Sequence, residues 1–422
     1  MDISILHKPD ANPSSLRIAH LARAVYPDHG AGGLEQHVFQ LTRHLLRLGV
    51  NVEMFTQPRA DEAAARFAAD AIAGGAEIHW HYVKYTRLPL RRNSIADRLS
   101  NYPIFVRQMG KQAAQLASRG GVDIVHAHGL CAYGYARAKG HAPMLMNPHG
   151  LEDFKVTDRR KWLAYAPFRA MYRRGAQAAQ RVAYTDAALR DEVREHLHLP
   201  SARLALLPNA VDAEAAEQEV SAERQAVLRQ RLQLEASPLV MLSVGRAERN
   251  KGFDVLLRAL AEARERLPSG WRWLHAGSGG ELERLLALCA ELGLGENVRL
   301  LGKVADSALH NLYALADLFV HPTLYEGSAI VVMEAMLHAR AVVATSVGGI
   351  PDKVQPGVSG WLVPPSNTEA LAAAIIEAAN VPPAVRAMMG AAGRQLILAH
   401  YTWPTVAART IEVYREMLSM NL

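Results

Sequence analysis

The sequence predicts an α/β chain built as two doubly wound domains, and three observations predict it. Short apolar runs of strand length alternate with longer helical patterns through both halves. Several of these runs end in glycine-rich turns that lead straight into a helical pattern, as after Pro27, after Val244 and after Ala276. The length of 422 residues is enough for two domains with full cores. No short-period repeat competes with this reading.

Met1 to Ser15 carries Asp2, Lys8, Asp10 and two prolines, lacks a signal-peptide core, and reads as a flexible leader, 1–15. Arg17 to Arg23 is the first strand. Gly30, Gly32 and Gly33 follow it, then a helix from Leu34 to Leu48. That turn suits either the approach of a phosphate or only tight strand-to-helix packing. Val50–Phe55 and Ile78–Val83 are strands, with an Ala-rich helix Asp61–Ala73 between them, and Ile104–Arg119 is a helix. Val122–His128 is a buried strand ending in His126, His128 and Gly129, and Met144–Gly150 ends similarly in His149-Gly150. By alternation His126 and His128 share a side. A strand-end histidine is either a satisfied core group or a crevice group. From Asp153 to Arg174, Trp162, Tyr165, Phe168 and Tyr172 recur at near-helical spacing among Arg159, Arg160, Lys161, Arg169, Arg173 and Arg174, with Pro167 interrupting. Basic plus aromatic residues on one helix suit a membrane interface, and an aromatic stripe equally suits a core.

Val182–Thr185 and Leu204–Leu207 are short strands, and Pro208-Asn209-Ala210-Val211-Asp212 marks the domain boundary. The second series opens with the strand that starts at Leu239 and ends at Gly245-Arg246. Lys251-Gly252 precede the helix Phe253–Arg266. Then come a strand Trp271–Ala276, the turn Gly277–Gly280, a helix Glu281–Leu292, a strand Val298–Leu301 and a helix Leu309–Ala316. Strands Leu318–His321, Val342–Thr345 and Gly360–Val363 follow, with helices Thr368–Ala379, Ala384–His400 and Thr405–Met420 at the end.

Composition narrows the function classes. Half the residues are hydrophobic and 21% are charged, ordinary for a soluble globular protein. No run approaches the ~20 apolar residues of a membrane span. Cys131 and Cys289 lie far apart, which fits a reducing cytoplasm and two small buried side chains. The net charge of +6 is uneven. Lys84 to Arg181 holds 18 Lys and Arg against 5 Asp and Glu, whereas Ala215 to His400 holds 17 against 19. A basic first half attracts anionic lipid, nucleic acid or anionic substrate, or simply solvates a face.

The chemistry concentrates between Tyr325 and Ile350. Glu326 and Glu334 flank seven residues without other charge. Gly327 and Ser328 make a helix entrance, with Glu334 about two turns down. The unpaired N–H groups of a helix start form an anion site, and carboxylates accept from hydroxyls. A hydroxyl-rich, phosphate-bearing ligand such as a sugar nucleotide fits; so does a buried helix with an acid at its positive end. Arg246, Lys251, the Gly277–Gly280 turn and the two acids all fall at strand ends or helix starts of the second half. Arg and Lys there match a diphosphate. There is no Asp-x-Asp pair for Mg²⁺ or Mn²⁺ and no Cys/His cluster with zinc spacing, so no metal site is expected.

These residues resemble those of the retaining GT-B glycosyltransferases, specifically glycosyltransferase family 4, over most of the chain. The resemblance rests on Gly32-Gly-Leu-Glu35, Val125-His-Ala-His128-Gly, Leu207-Pro-Asn-Ala-Val-Asp212, Gly245-Arg246 with Lys251-Gly252, the E-x7-E signature Glu326–Glu334, Gly348-Gly349 and Gly360-Trp-Leu-Val-Pro-Pro365. It implies two Rossmann-like domains facing across a cleft, 16–208 on the acceptor side and 209–400 binding the nucleotide sugar. A C-terminal helix in 401–422 would cross back to the first domain. Arg246 and Lys251 would hold the diphosphate, Glu334 the ribose, and Glu326 with Gly327, Ser328, Ala329 and Ile330 the donor sugar. Gly32 and Gly33 would let backbone approach the phosphate, Lys303 and Val304 would meet the base, and His128 would contact the sugar. The catalytic set expected is Glu326, His128, Arg246 and Lys251. Ser328-Ala329, Asp352 and Ala210 depart from the commoner residues of that pattern.

The expected function is a cytoplasmic, metal-independent, retaining hexosyltransferase without a cofactor. It would move a sugar from a UDP- or GDP-sugar to a glycan or lipid-linked acceptor, in cell-surface polysaccharide or glycolipid synthesis. The basic domain would meet an anionic membrane surface peripherally, and no nucleic-acid partner is expected. A sugar-nucleotide epimerase and a non-catalytic sugar-nucleotide sensor of the same fold are the alternatives.

Overall fold

The computed structural model describes residues 16–30, 32–58, 60–85, 88 and 95–420. The expected leader therefore lies outside the described residues. The chain divides into two compact units. The first holds residues up to Tyr184, Arg190–Leu207 and the C-terminal stretch from Val406. The second holds Thr185–Leu189 and Pro208–Thr405.

The first unit is built on a parallel sheet of seven strands: β1 (Arg17–Leu21), β2 (Asn51–Thr56), β3 (Ile78–Tyr82), β4 (Ile124–His128), β5 (Met144–Asn147), β6 (Arg181–Tyr184) and β7 (Leu204–Leu206). Their order is β3-β2-β1-β4-β5-β6-β7. β1 pairs with β2 on one side (Ile18 opposite Val52) and with β4 on the other (Ile18 opposite Ile124). The strand order reverses between β1 and β4, which opens a crevice at their C-terminal ends. The segment from Val406 joins this unit through the helix Trp403–Ser419: Tyr414 is fully buried and its hydroxyl lies 2.7 Å from His126 Nδ1.

The second unit repeats the architecture with six parallel strands: β8 (Val240–Val244), β9 (Arg272–Ala276), β10 (Val298–Gly302), β11 (Leu318–His321), β12 (Ala341–Thr345) and β13 (Gly360–Val363), in the order β10-β9-β8-β11-β12-β13. Helices cover both faces. Along β8, Met241 packs into one apolar cluster with Trp273, Leu318 and Val320, while Val240, Leu242 and Val244 pack into the other with Leu274 and Phe319. A strand buried on both faces reads as an unbroken apolar run, as β12, buried along its whole length, does up to Thr345. The switch point here lies between β8 and β11.

Three expected elements are corrected. The helix expected from Ile104 begins at Ile95 and carries Pro103 inside it. The basic and aromatic stretch is not one helix: Arg159–Ala164 ends before Ala166–Ala178 begins, because Pro167 sits in the first turn of the second, the one place a helix accepts it. The helix of the Glu326–Glu334 stretch starts at Ile330, so Glu334 lies just over one turn in rather than two. Its entrance is later than Gly327-Ser328 because Gly349 N–H donates to the Gly327 carbonyl and Ile330 N–H to that of Ser328, which holds 327–329 as a loop.

Candidate functional site

Backbone contacts bring the loops of the second unit's switch point together. The β8 loop is strapped to the β11 loop: Leu324 N–H donates to the Asn250 carbonyl at 2.8 Å, and the Thr323 hydroxyl donates to it at 3.1 Å. Gly252 has φ +66° and a Cβ there would overlap the Pro322 carbonyl, so only glycine lets these loops meet. Gly348, at φ +52°, abuts the Glu326 carbonyl in the same way. The β9 loop closes over the β8 loop, with Ala247 N–H donating to Ser278 and Glu281 N–H to Ala247.

Inside this lacing Lys251 Nζ donates to Glu326 Oε2 at 2.6 Å, with both side chains only about one-sixth exposed. The same oxygen lies 3.3 Å from His321 Nε2. Burial would raise the Glu326 pKa, but the His321 hydrogen bond and the Lys251 charge outweigh it and bring it down to about 2. Burial lowers the His321 pKa, against the pull of Glu326, so His321 is neutral and donates through Nε2–H. Its Nδ1 and the Ser328 Oγ are then buried polar atoms with no partner among the described residues. Buried polar atoms of this kind call for an outside partner.

The other expected residues of this unit lie on the loops after β8, β10 and β11 and on the helix that follows β11. Arg246 is exposed and held by Glu248 at 2.6 Å. Glu334 accepts from the hydroxyl of the fully buried Tyr313 at 2.7 Å. Lys303 and Val304 form the loop after β10, where Val304 packs on the core. Gly327 and Ser328 form the loop, Ala329 is the N-cap, and Ile330 opens the helix. Sequence reasoning missed His321 and Tyr313. His321 carried a signal, as the last residue of the strand before the motif. Tyr313 carried none, since it meets Glu334 only through the fold.

Gly32, Gly33 and His128 belong to the first unit. Gly32 is the N-cap of the helix Gly33–Arg47. His128 is buried, and both its ring nitrogens are engaged by other imidazoles: Nε2 with His20 Nε2, and Nδ1 with His149 Nε2 at 2.6 Å. His126 stacks on it at a centroid distance of 4.5 Å, and His37 packs edge-on against His149 at 4.8 Å. The sequence holds no Cys/His cluster with zinc spacing, and the fold gathers these histidines from distant positions. Two triads, His20/His126/His128 and His37/His128/His149, bring ring nitrogens within 4.8 Å of one another. Their members come from β1, β4, the loop after β5 and a helix, so no sequence spacing discloses them. The stripe from Trp162 also divides: Trp162 and Leu163 are exposed, whereas Phe168 is fully buried. Among the described residues no helix is long and apolar enough to cross a membrane.

The glycosyl transferases group 1 model matches residues 225–396, and the Glycosyltransferase Family 4 model matches residues 31–215. A D-inositol 3-phosphate glycosyltransferase of Thermobispora bispora is 29% identical over 92% of this chain and 90% of its own. A GDP-mannose-dependent alpha-(1-6)-phosphatidylinositol monomannoside mannosyltransferase of Mycobacterium tuberculosis is 30% identical over 66% of this chain and 71% of its own. Among solved structures, Anabaena HepE in complex with UDP superposes with a TM-score of 0.70 at 19% identity, covering 95% of this chain and 100% of that one. Sucrose-phosphate synthase from Thermosynechococcus elongatus gives 0.70 at 22% identity, covering 96% and 100%.

The depressed Glu326 pKa has a consequence for acid stability. A carboxylate lowered from 4.5 to about 2 stabilises the fold fully above its unfolded value, and that stabilisation is lost as pH falls through the folded value. Lys251→Met should therefore move the acid-unfolding midpoint, followed by circular dichroism, to higher pH. An unchanged midpoint would contradict the pairing.

Proposed function

This chain belongs to glycosyltransferase family 4, and we propose that it is a retaining transferase whose second unit binds a nucleoside diphosphate sugar. The observation that carries the reading is the Lys251–Glu326 pair at the switch point. A cation suited to a diphosphate stands beside a carboxylate suited to sugar hydroxyls, at the kind of position where doubly wound units bind ligands. Lys251 and Arg246 would take the charge that grows on the departing diphosphate. Glu326, ionised and oriented by His321, would accept from a hydroxyl of the transferred sugar, and the unpartnered Ser328 Oγ would meet another. Glu334, oriented by Tyr313, would accept from the ribose hydroxyls. In the step itself the bond from the anomeric carbon to the diphosphate oxygen breaks. The acceptor oxygen bonds to that carbon on the face being vacated, and its proton passes to the leaving diphosphate. Lysine and arginine supply the positive charge, so the reading needs no metal. The GDP-mannose-dependent relative and UDP-bound HepE make UDP- and GDP-sugars the donors to try, with glycan and lipid-linked acceptors.

Radiolabelled UDP- and GDP-sugars incubated with such acceptors should give transfer with at least one donor. Glu326→Gln should lower kcat by about 10²–10³-fold, the usual cost of one preorganised polar contact in a transition state. Equal turnover by wild type and variant would overturn the assignment. Donor conversion without acceptor would point to an epimerase, and tight binding without turnover to a sensor.

Exposed Trp162 and Leu163 beside exposed Arg159, Arg160 and Lys161 favour a second feature, docking on an anionic membrane surface. Flotation with phosphatidylserine vesicles should be lost in the Arg159/Arg160/Lys161→Ala triple variant. Equal flotation of the two proteins, or none by wild type, would remove it.

A further inference from the structure

The buried histidines of the first unit form a hydrogen-bonded chain whose direction can be worked out atom by atom. The chain starts at Thr42, on the helix Gly33–Arg47. Its Oγ1 lies 2.7 Å from the Val38 carbonyl and 2.8 Å from His20 Nδ1. A carbonyl oxygen has no proton to offer, so the hydroxyl proton goes to Val38 and Oγ1 must accept from His20. His20 is neutral: burial lowers its pKa to about 3, helped by His37. A neutral imidazole protonated at Nδ1 has a lone pair at Nε2. The contact between His20 Nε2 and His128 Nε2 then needs the proton of His128. His128 is neutral by burial too, so its Nδ1 is an acceptor, and His149 Nε2–H donates to it at 2.6 Å. His149 is likewise neutral by burial, and its one remaining ring atom, Nδ1, carries a lone pair. No hydrogen bond among the described residues takes that atom, and the residue is only half-buried.

We propose that Thr42 and His20 are positioning residues that fix His149 as a hydrogen-bond acceptor at Nδ1, ready for a ligand hydroxyl. The polarity is set by a single hydroxyl three imidazoles away. The backbone supports the open end. His149 sits at φ +61°, and its N–H donates to Asn147 Oδ1 at 3.0 Å, while Asn147 Nδ2 donates to His37 Nε2 at 3.3 Å. His126 stacks on the chain without joining it, its Nδ1 being taken by Tyr414. Removing the Thr42 hydroxyl leaves the His20 Nδ1 proton buried without an acceptor, which is costly. The relieved arrangement is the reverse one: His20 donates through Nε2, His128 through Nδ1, and His149 holds its proton at Nδ1. The outward nitrogen would then be a donor, which competes with a hydroxyl for the role of donor rather than receiving its proton.

The tautomer assignment stands on the first unit alone; only its consequence for turnover rests on the transferase reading. Imidazole ¹⁵N spectra of histidine-labelled protein read it directly. Wild type should show His20 protonated only at Nδ1, and His128 and His149 only at Nε2. Thr42→Val should reverse all three, whereas Thr42→Ser, which keeps the hydroxyl, should preserve the wild-type pattern. If transfer is established, turnover should fall about tenfold in Thr42→Val, the scale of one lost polar contact, and recover in Thr42→Ser. A wild-type His149 protonated at Nδ1, or a folded Thr42→Val protein with unchanged tautomers, would overturn the proposal. So would stoichiometric Zn²⁺ uptake that claims the Nε2 atoms of His20, His126 and His128, because a ligated His128 must carry its proton at Nδ1. Reversed tautomers in a protein without transferase activity would leave this inference standing and remove the other.

Discussion

A lysine and a glutamate held 2.6 Å apart, with a neutral histidine on the same carboxylate oxygen, constrain the second unit most. Two charges this buried need each other, since either alone would meet the full cost of desolvation. Their partnership requires the β8 and β11 loops to touch. That contact in turn demands glycine at 252, and glycine at 348 for the loop that closes beneath Glu326. The sheet order supplies the rest: β8 and β11 are neighbours, so residues 75 positions apart in sequence become hydrogen-bonded. Without a ligand the pair satisfies itself. With a nucleotide sugar bound as proposed, each partner would have something else to bind, and Lys251 would exchange a carboxylate for a diphosphate at little cost in charge pairing.

The two units apply the same architecture to opposite electrostatics. The second keeps its charges ionised: Glu326 is depressed to about 2 by His321 and Lys251. The first keeps a cluster of histidines neutral by burying them together, so that His20, His126, His128 and His149 all lie below their ordinary pKa. Neutral imidazoles each carry one donor and one acceptor, which lets them transmit a fixed hydrogen-bond direction instead of a charge.

Much of this was legible in the sequence, for identifiable reasons. Strands buried on both faces show as uninterrupted apolar runs, so Val240–Val244 and Leu318–His321 are plain. The helix Cys131–Arg137 is not, because seven residues, all Cys, Ala, Tyr or Gly but for Arg137, carry too little periodicity. Ala187–Leu197 and the helices Ala213–Glu219 and Ala222–Arg231 are too polar to announce a buried face. At the site, Glu326, Glu334, Arg246 and Lys251 stand out by residue type at strand ends or near helix starts. Tyr313 and His20 do not, and His149 shows as a strand-end histidine without its partners, since those are set by which elements are neighbours. The late start of the helix at Ile330 was also hidden, because it is fixed by a hydrogen bond from Gly349, nineteen positions on from Ile330.

The division of labour between Lys251 and Glu326 is best tested by calorimetric titration of wild type, Lys251→Met and Glu326→Gln with a nucleotide sugar and with the matching free nucleoside diphosphate. Lys251→Met should weaken both ligands about equally, while Glu326→Gln should weaken only the nucleotide sugar. Equal weakening of the free diphosphate by both variants, or no effect of either on any ligand, would contradict that division.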